Sequence, residues 1–518
     1  MNRDENIQKL ADPAKVWDVL IIGGGATGLG AAVEAASRGY STLLLEQNDF
    51  AKATSSRATK LAHGGVRYLQ QGNISLVLHA LKERGLMVRN APHIAHALSF
   101  VIPVYRWWET PFYGIGLKVY DALSGRLSLG HSHILSREKT LELLPTVNRK
   151  DLHGGVLYTD GQFDDARLAM TLALTIEDLG GVALNYVSVQ GLLKQGDKVS
   201  GVKAKDLESG REYEIKARSV LNATGIFTDS VRKFDDPQAK PMLSVSQGAH
   251  LILDRSFLPG TTALMVPHTE DGRVLFAVPW HNHVIVGTTD IPTPNIVLEP
   301  RAMEEEIDFL LRHASHYLSR PVNRSDVQSI YAGQRPLVNS GHGEKTSALS
   351  RDHVVVTSKS KLVSITGGKW TTYRQMGEDA VNHLEDVGGF TRRKSVTADL
   401  HLHGYLEKAP EDPHHVYGTD FDRIAQLVKD DPQLAQLLHK RLPYQAAEVV
   451  WAARSEMART VEDVLARRTR SLLLDARASQ DAAPEVARLL AQELGRDAAW
   501  QEAQVEQFRR LAEIYILA

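Results

Sequence analysis

An α/β chain, α+β overall, is predicted by three features of the 518-residue sequence: a strand–glycine–helix–strand–acid unit over 19–46, period-two alternation within 251–290, and helical periodicity almost throughout beyond 420. In the first unit, Val19 to Ile22 read as a buried strand. Gly23-x-Gly25-x-x-Gly28 then turns the chain into a helix that begins at Ala26 and Thr27 and carries Ala31, Ala32, Ala35 and Ala36. A second apolar run, Thr42 to Leu45, ends at Glu46. Gly23 permits the tight turn, Gly25 lets the backbone approach a pyrophosphate, and Gly28 lets the helix pack closely on the strand. The helix N-terminus offers free N–H groups to an anion, and Glu46 is placed to accept hydrogen bonds from a ribose. The unit reads as a Rossmann-type dinucleotide site; a glycine-rich helix start in an ordinary α/β domain is the alternative.

Size and composition bound the remaining choices. A chain of 518 residues exceeds one ordinary core, and 43% hydrophobic with 24% charged residues is globular composition. A net charge of −2 without a basic tract argues against nucleic acid as a partner. The absence of cysteine excludes disulfides, thiolate catalysis, Fe–S clusters and zinc–thiolate sites, and no metal is expected. The polar, acid-containing start is wrong for a signal peptide, and no transmembrane helix is expected.

Further along, a polar basic loop (52–60) precedes an aromatic-rich region (100–120). Ser219 to Leu221 form a strand leading into Asn222-Ala223-Thr224-Gly225. Val274, Phe276 and Val278 alternate before a turn at His281-Asn282, and Val284 and Val286 follow, which is hairpin patterning. The composition near 394–420 suits a linker. Beyond it Ile424, Leu427, Leu434 and Leu437 recur at helical spacing, as do Val461, Val464 and Leu465, then Leu489, Leu490 and Leu494. The expected organisation is a nucleotide-binding region over 1–395, with antiparallel substrate or cap segments inserted at roughly 75–150 and 240–335, and a structural helical domain over 396–518.

Three segments narrow the reading: Ser55-Ser56-Arg-Ala-Thr-Lys60-Leu-Ala-His63-Gly64-Gly65-Val-Arg67-Tyr68-Leu, Tyr331-Ala-Gly-Gln-Arg335-Pro-Leu, and Ile365-Thr366-Gly367-Gly368-Lys369-Trp-Thr371-Thr372-Tyr-Arg. With the glycine unit and the stretch from Arg454 to Arg470, they make nearly the whole chain resemble the FAD-dependent, quinone-linked glycerol-3-phosphate dehydrogenases. That family lies within the flavoproteins related to D-amino-acid oxidase and glycine oxidase. The resemblance implies an FAD-binding domain, FAD held tightly without a covalent bond (a tether at His63 being the alternative), and oxidation of sn-glycerol 3-phosphate to dihydroxyacetone phosphate. It also implies a membrane quinone as acceptor.

Read on their own chemistry, Gly64-Gly65 and Gly367-Gly368 give backbone freedom beside a flat ligand. Arg67, Arg335 and Lys369 stand at turn-rich places and suit a phosphorylated substrate, against the alternative of interface salt bridges. In flavin enzymes of this group a strand end such as Ala223 to Gly225 lies against the FAD; an ordinary β-turn competes. Ser55, Ser56 and Lys60 are candidates for the pyrophosphate and flavin edge, or a solvated loop. Thr366, Gly367 and Gly368 join the cofactor set. Hydride transfer from C2 to flavin N5 needs a base for the hydroxyl proton, and His250, one of 21 histidines, is the candidate. Arg335 would steady the developing oxygen charge, and Arg67, Tyr68 and Lys369 the phosphate. Lys369 is also carried as a catalytic candidate, and Thr371 and Thr372 either add hydroxyl contacts or start a helix.

Trp107, Trp108, Phe112, Tyr113 and Tyr120 stand among Arg106, Lys118 and Arg126, which fits a lipid headgroup boundary or a buried aromatic core. The expected place is cytoplasmic, peripheral on the inner face of the cytoplasmic membrane. Oligomeric state stays open, a homodimer included. The competing functions are an oxygen-using glycerol-3-phosphate oxidase, an amine or amino-acid oxidase of the same flavin group, and a non-catalytic flavoprotein.

Overall fold

A computed structural model describes residues 1–65, 73–267, 269, 273–338, 353–408 and 413–517, apart from the side chains of Arg126 and Pro413. Arg67 and Tyr68 lie outside the described residues.

Two sheets organise the first 370 or so residues. The nucleotide sheet runs His353–Thr357, Val363–Gly367, Glu212–Asn222, Val16–Ile22, Thr42–Leu45 and Val182–Leu184. Its inner strands are parallel, and Val19, Leu20, Ile21, Leu43, Leu44 and Leu221 are wholly buried. Continuous apolar runs are what a sheet needs when it is covered on both faces. The glycine-turn helix Ala26–Ser37 lies on one face beside Tyr373–Gly388 and Asp165–Asp178. Val187–Gln195 and Lys198–Asp206 add an antiparallel ribbon.

The second sheet is mostly antiparallel and draws on two stretches, 61–163 and 243–338. The hairpin expected from alternation is present: Leu275–Trp280 and His283–Gly287 pair antiparallel. His281 (φ 44°) and Asn282 (φ 59°) make its two-residue turn, the left-handed pair that matches strand twist. Leu243–Asp254 sits between His283–Gly287 and Val327–Val338, and this central register places the site described below.

Residues 394–420, expected to be a linker, contribute Leu402, Val416 and Tyr417 to the core of the nucleotide domain, and beyond them the chain is helical: Phe421–Asp430, Ala446–Ser455, Ala476–Leu494 and Ala498–Ala512. The apolar period expected to run from Ile424 to Leu437 is interrupted. Pro432 holds Asp431 extended (φ −135°, ψ 98°), so the helix stops, and Leu437 is left exposed. The domain packs on the second sheet through Val449, Leu465, Leu490 and Phe508 against Phe100, Tyr158, Val278 and Ile285.

Buried ion pairs join the helical domain to the nucleotide domain. Glu456 takes both terminal nitrogens of Arg167 (2.8 and 2.9 Å), Asp49 lies between Arg467 (2.5 Å) and Arg468 (2.7 Å), and Arg470 reaches Asp165 (2.8 Å). Glu456, Arg467, Arg468 and Arg470 all belong to the 454–470 stretch, so that stretch is a domain junction. Although burial opposes ionisation, the Arg468 and Arg467 guanidiniums hold the Asp49 carboxyl below its usual range.

His403 bridges the same junction, 2.7 Å from Asp178 and 2.8 Å from Asp420. Burial works against the imidazolium, but hydrogen bonds to the two carboxylates raise its pKa to about 9. A raised pKa contributes stability in full below the unfolded value of about 6.5, lost as pH rises through 9. The melting temperature is therefore expected to fall between pH 7 and 10 by more in the native chain than in His403→Asn; parallel curves would contradict the role.

Candidate functional site

Two cavities meet at the Gly367-Gly368 turn. One, about 280 Å³, runs along the carboxyl ends of the parallel strands, the place where open α/β sheets bind ligands. Gly23, Gly25, Ala26, Thr27, Glu46, Ser55, Ala223, Gly225, Gly367 and Gly368 all line it. The second, about 310 Å³, opens between the two sheets and contains His250, Arg335 and Lys369. Thr54, Pro336, Gly368, Lys369 and Trp370 border both, so the two form one continuous site.

The first cavity fits a dinucleotide on its own chemistry. A Cβ at Gly28 would lie 1.9 Å from the Gly23 carbonyl oxygen, so only glycine lets helix and turn touch. Gly28 thus acts from behind the cavity wall. The helix has Gly25 at its N-cap with no side-chain cap, leaving its first turn to face the channel, where Ser55 Oγ accepts from the Ala26 amide (2.9 Å). The Glu46 carboxylate is fixed by the Gly24 (2.6 Å) and Asn48 (2.8 Å) amides. Burial raises its pKa against those two bonds. Gly367 (φ 84°) and Gly368 (φ 74°) are consecutive left-handed residues, which lay bare peptide faces rather than side chains at the join. The Thr366 hydroxyl just before them is buried, with no hydrogen-bond partner among the described residues.

Several expected ligands lie elsewhere. Lys60 is wholly buried and faces away from both cavities, donating to Asp165 (2.6 Å) and to the Ser56 carbonyl (2.8 Å). Burial lowers its pKa to about 7, with Asp165 opposing the shift. Ser56 is buried in the 3₁₀ turn that Lys60 and Arg470 brace through its carbonyl. Both residues therefore shape the loop whose neighbour, Ser55, meets the channel. Gly64 is packed under Leu81 and Tyr120, whose hydroxyl oxygen accepts from its amide (2.8 Å); its partner Gly65 borders the cavity. Thr372 turns its hydroxyl back to the Lys369 carbonyl (3.2 Å), and Thr371 borders the cavity instead. Consecutive residues of a tight turn point in different directions, so only one can face the ligand.

His250 owes its setting to strand register. It pairs with Gly287 on one side and Tyr331 on the other. Its ring stacks on Tyr331 (centroids 4.7 Å, 13° between planes), and a Cβ at Gly287 would lie 2.2 Å from its Cδ2. Thr59 Oγ1 is 2.9 Å from Nε2, while Nδ1 has no partner among the described residues. Burial, followed by the charges of Arg335 and Lys60, pushes its pKa well below the usual histidine value, so the ring is neutral.

Arg335 lies near this ring, 3.3 Å from Asp290, with Nη2 donating to Thr288 Oγ1 (2.9 Å) and the Thr289 carbonyl (3.1 Å). Arg273 borders the same cavity, as do Thr59, Thr288 and Asp290, none of which sequence reasoning selected. Thr59 lay inside a quoted motif. Asp290 and Arg273 carried no local signal, because they stand just outside strands whose place beside the cavity is set by the sheet.

Comparisons with known proteins follow the same lines. The family model for FAD-dependent oxidoreductases matches residues 18–374, and that for the C-terminal domain of alpha-glycerophosphate oxidase matches 358–503. The mitochondrial glycerol-3-phosphate dehydrogenase of Homo sapiens is 38% identical over 95% of this chain and 73% of its own. That of Schizosaccharomyces pombe is 38% identical over 99% of this chain and 89% of its own. The solved glycerol-3-phosphate dehydrogenase of Bacillus halodurans, complexed with FAD, superposes with a TM-score of 0.81 at 28% identity, covering 99% of this chain and 97% of that one.

Proposed function

Because the chain belongs to the FAD-dependent glycerol-3-phosphate dehydrogenases, within the FAD-dependent oxidoreductase family, we propose that it oxidises sn-glycerol 3-phosphate at C2 to dihydroxyacetone phosphate and passes the electrons to a membrane quinone. The observation that carries this reading is the meeting of a dinucleotide channel with a cation-lined cavity at Lys369, with a neutral histidine opening on the latter.

FAD is the cofactor, and when bound it supplies the hydride acceptor and the two-electron store. Gly23, Gly25, Ala26, Thr27, Glu46, Ser55, Ala223, Gly225 and the Gly367-Gly368 turn would hold it. The protein's share is position and charge. Lys369 and Arg273, which both border the cavity, would bind the phosphate dianion, a role also assigned to Arg67 and Tyr68. Arg335, fixed by Asp290 and Thr288, steadies negative charge on the C2 oxygen as its proton leaves. His250 takes that proton, which its neutral ring can accept at ordinary pH. Turnover with glycerol 3-phosphate is expected to exceed that with glycerol by at least a hundredfold in kcat/KM, a gap that Lys369→Met narrows. Equal use of the two alcohols would overturn phosphate recognition.

Peripheral attachment to the inner face of the cytoplasmic membrane is supported by the helix Glu109–Ser124. Trp108, Phe112, Ile115 and Val119 recur on one exposed face, with Trp107 (78% exposed) and Ile134 beside them. Tyr113 and Tyr120 are buried on the opposite face, so the aromatic segment divides into an outer and an inner row. Exposed aromatics next to Arg106 and Lys118 fit a headgroup layer. Among the described residues no helix is long and apolar enough to cross a membrane. Replacing Trp107, Trp108 and Phe112 together by serine is expected to abolish pelleting with anionic vesicles while turnover with a water-soluble dye persists. Unchanged pelleting would remove this helix from the interface. The oxygen-using alternative is decided by peroxide yield, expected well below one per substrate oxidised.

A further inference from the structure

Among the described residues of the second sheet's half of the molecule, only Leu298 and Pro336 reach the dinucleotide channel, and Leu298 belongs to an irregular segment, 293–300, that contains Pro294 and ends at Pro300. That segment has no ladder of its own. Gln334 holds it at the Val297 amide (3.1 Å) and the Asn295 carbonyl (2.7 Å), and Arg57 donates to the Leu298 carbonyl (2.7 Å). The decisive contacts are at Glu299. Its carboxylate accepts from Arg57 (2.5 Å) and from the Tyr515 hydroxyl (3.1 Å), and it is paired with Lys52 at 2.9 Å. Lys52 lines the channel and is also bonded to Glu462 of the helical domain. Tyr515 is buried in the last 3₁₀ turn of the described chain.

Three parts of the chain therefore meet at one carboxylate: the loop that edges the channel, the segment that borders it at Leu298, and the C-terminal turn. We infer that Glu299, clasped by Lys52, Arg57 and Tyr515, is a latch that retains the flavin dinucleotide, and that the helical domain serves cofactor retention through Tyr515 and Glu462. The inference rests on FAD occupying the channel. Leu298 of the 293–300 segment borders the channel, and lifting that segment away breaks the Arg57–Glu299 and Tyr515–Glu299 bonds together. Hydrogen bonds between charged groups are the stronger kind, and Glu299 is only one-fifth exposed, so solvent replaces them poorly.

The test is the rate of FAD release from the full-length holoenzyme at fixed temperature, read as the rise of free-flavin fluorescence after dilution. Glu299→Gln is expected to speed release roughly tenfold and Tyr515→Phe roughly threefold, read at a temperature at which the apoproteins of both variants remain folded. Glu493→Gln, which breaks only the exposed Arg454 pair in the same domain, should leave the rate as it is. Release from the native enzyme should quicken with salt, and that dependence should flatten in Glu299→Gln. Variants that hold FAD within twofold of the native rate, or equal acceleration by Glu493→Gln, would overturn the latch alone. A native chain that binds no flavin would overturn the latch and the cofactor assignment together.

Discussion

Replacing His250 with alanine is expected to lower turnover by a factor of about 10²–10⁴ with the flavin still bound, the range for loss of a positioned base. The ring does not line the dinucleotide channel, so cofactor binding has no reason to change. It is held between Gly287 and the Tyr331 ring, with Thr59 at Nε2. His250→Asn, closer in shape, separates loss of the base from collapse of the space. The pH profile gives an independent reading. Burial and the neighbouring cations depress this pKa, so the imidazole stays unprotonated as pH falls past 6.5, and activity should be lost only well below that value. Native turnover with an unchanged acid limb in either variant would assign the proton to another group.

The second large effect concerns stability. Glu456 is wholly buried and meets both terminal nitrogens of Arg167, itself buried, while also accepting from Trp451 Nε1 at 3.1 Å. Removing the acid strands a guanidinium in the interior. Breaking such a pair costs about 3–5 kcal/mol, a large share of the roughly 5–15 kcal/mol that holds a domain folded. Glu456→Ala is expected to lower the unfolding free energy obtained from urea titration by that amount, and Glu456→Gln, which keeps the shape and one acceptor, by less. A change under about 0.5 kcal/mol, the level of an ordinary surface substitution, would show that the junction does not bear on stability.

The glycine unit was legible because its constraints are local: turn, close approach and anion-facing amides lie within a few residues of one another. The hairpin at His281-Asn282 was legible for the same reason. The rest depends on register across a sheet. Nothing near Arg335 in sequence announces Asp290, and nothing near His250 announces Gly287 or Tyr331; these neighbours exist because three strands align at one level. Lys60 shows the converse. A lysine in a polar loop reads as a ligand, yet Asp165 draws it inward, because a buried carboxylate outcompetes a surface position for a nearby cation. The aromatic segment divides into an exposed row and a buried row on a single helix, a split that the residue types alone did not announce.

The account rests most heavily on one spectrum. The purified chain should be yellow, and adding sn-glycerol 3-phosphate without air should bleach its flavin absorbance completely, one equivalent per site. A colourless protein, or a yellow one whose absorbance ignores that compound, would contradict the account.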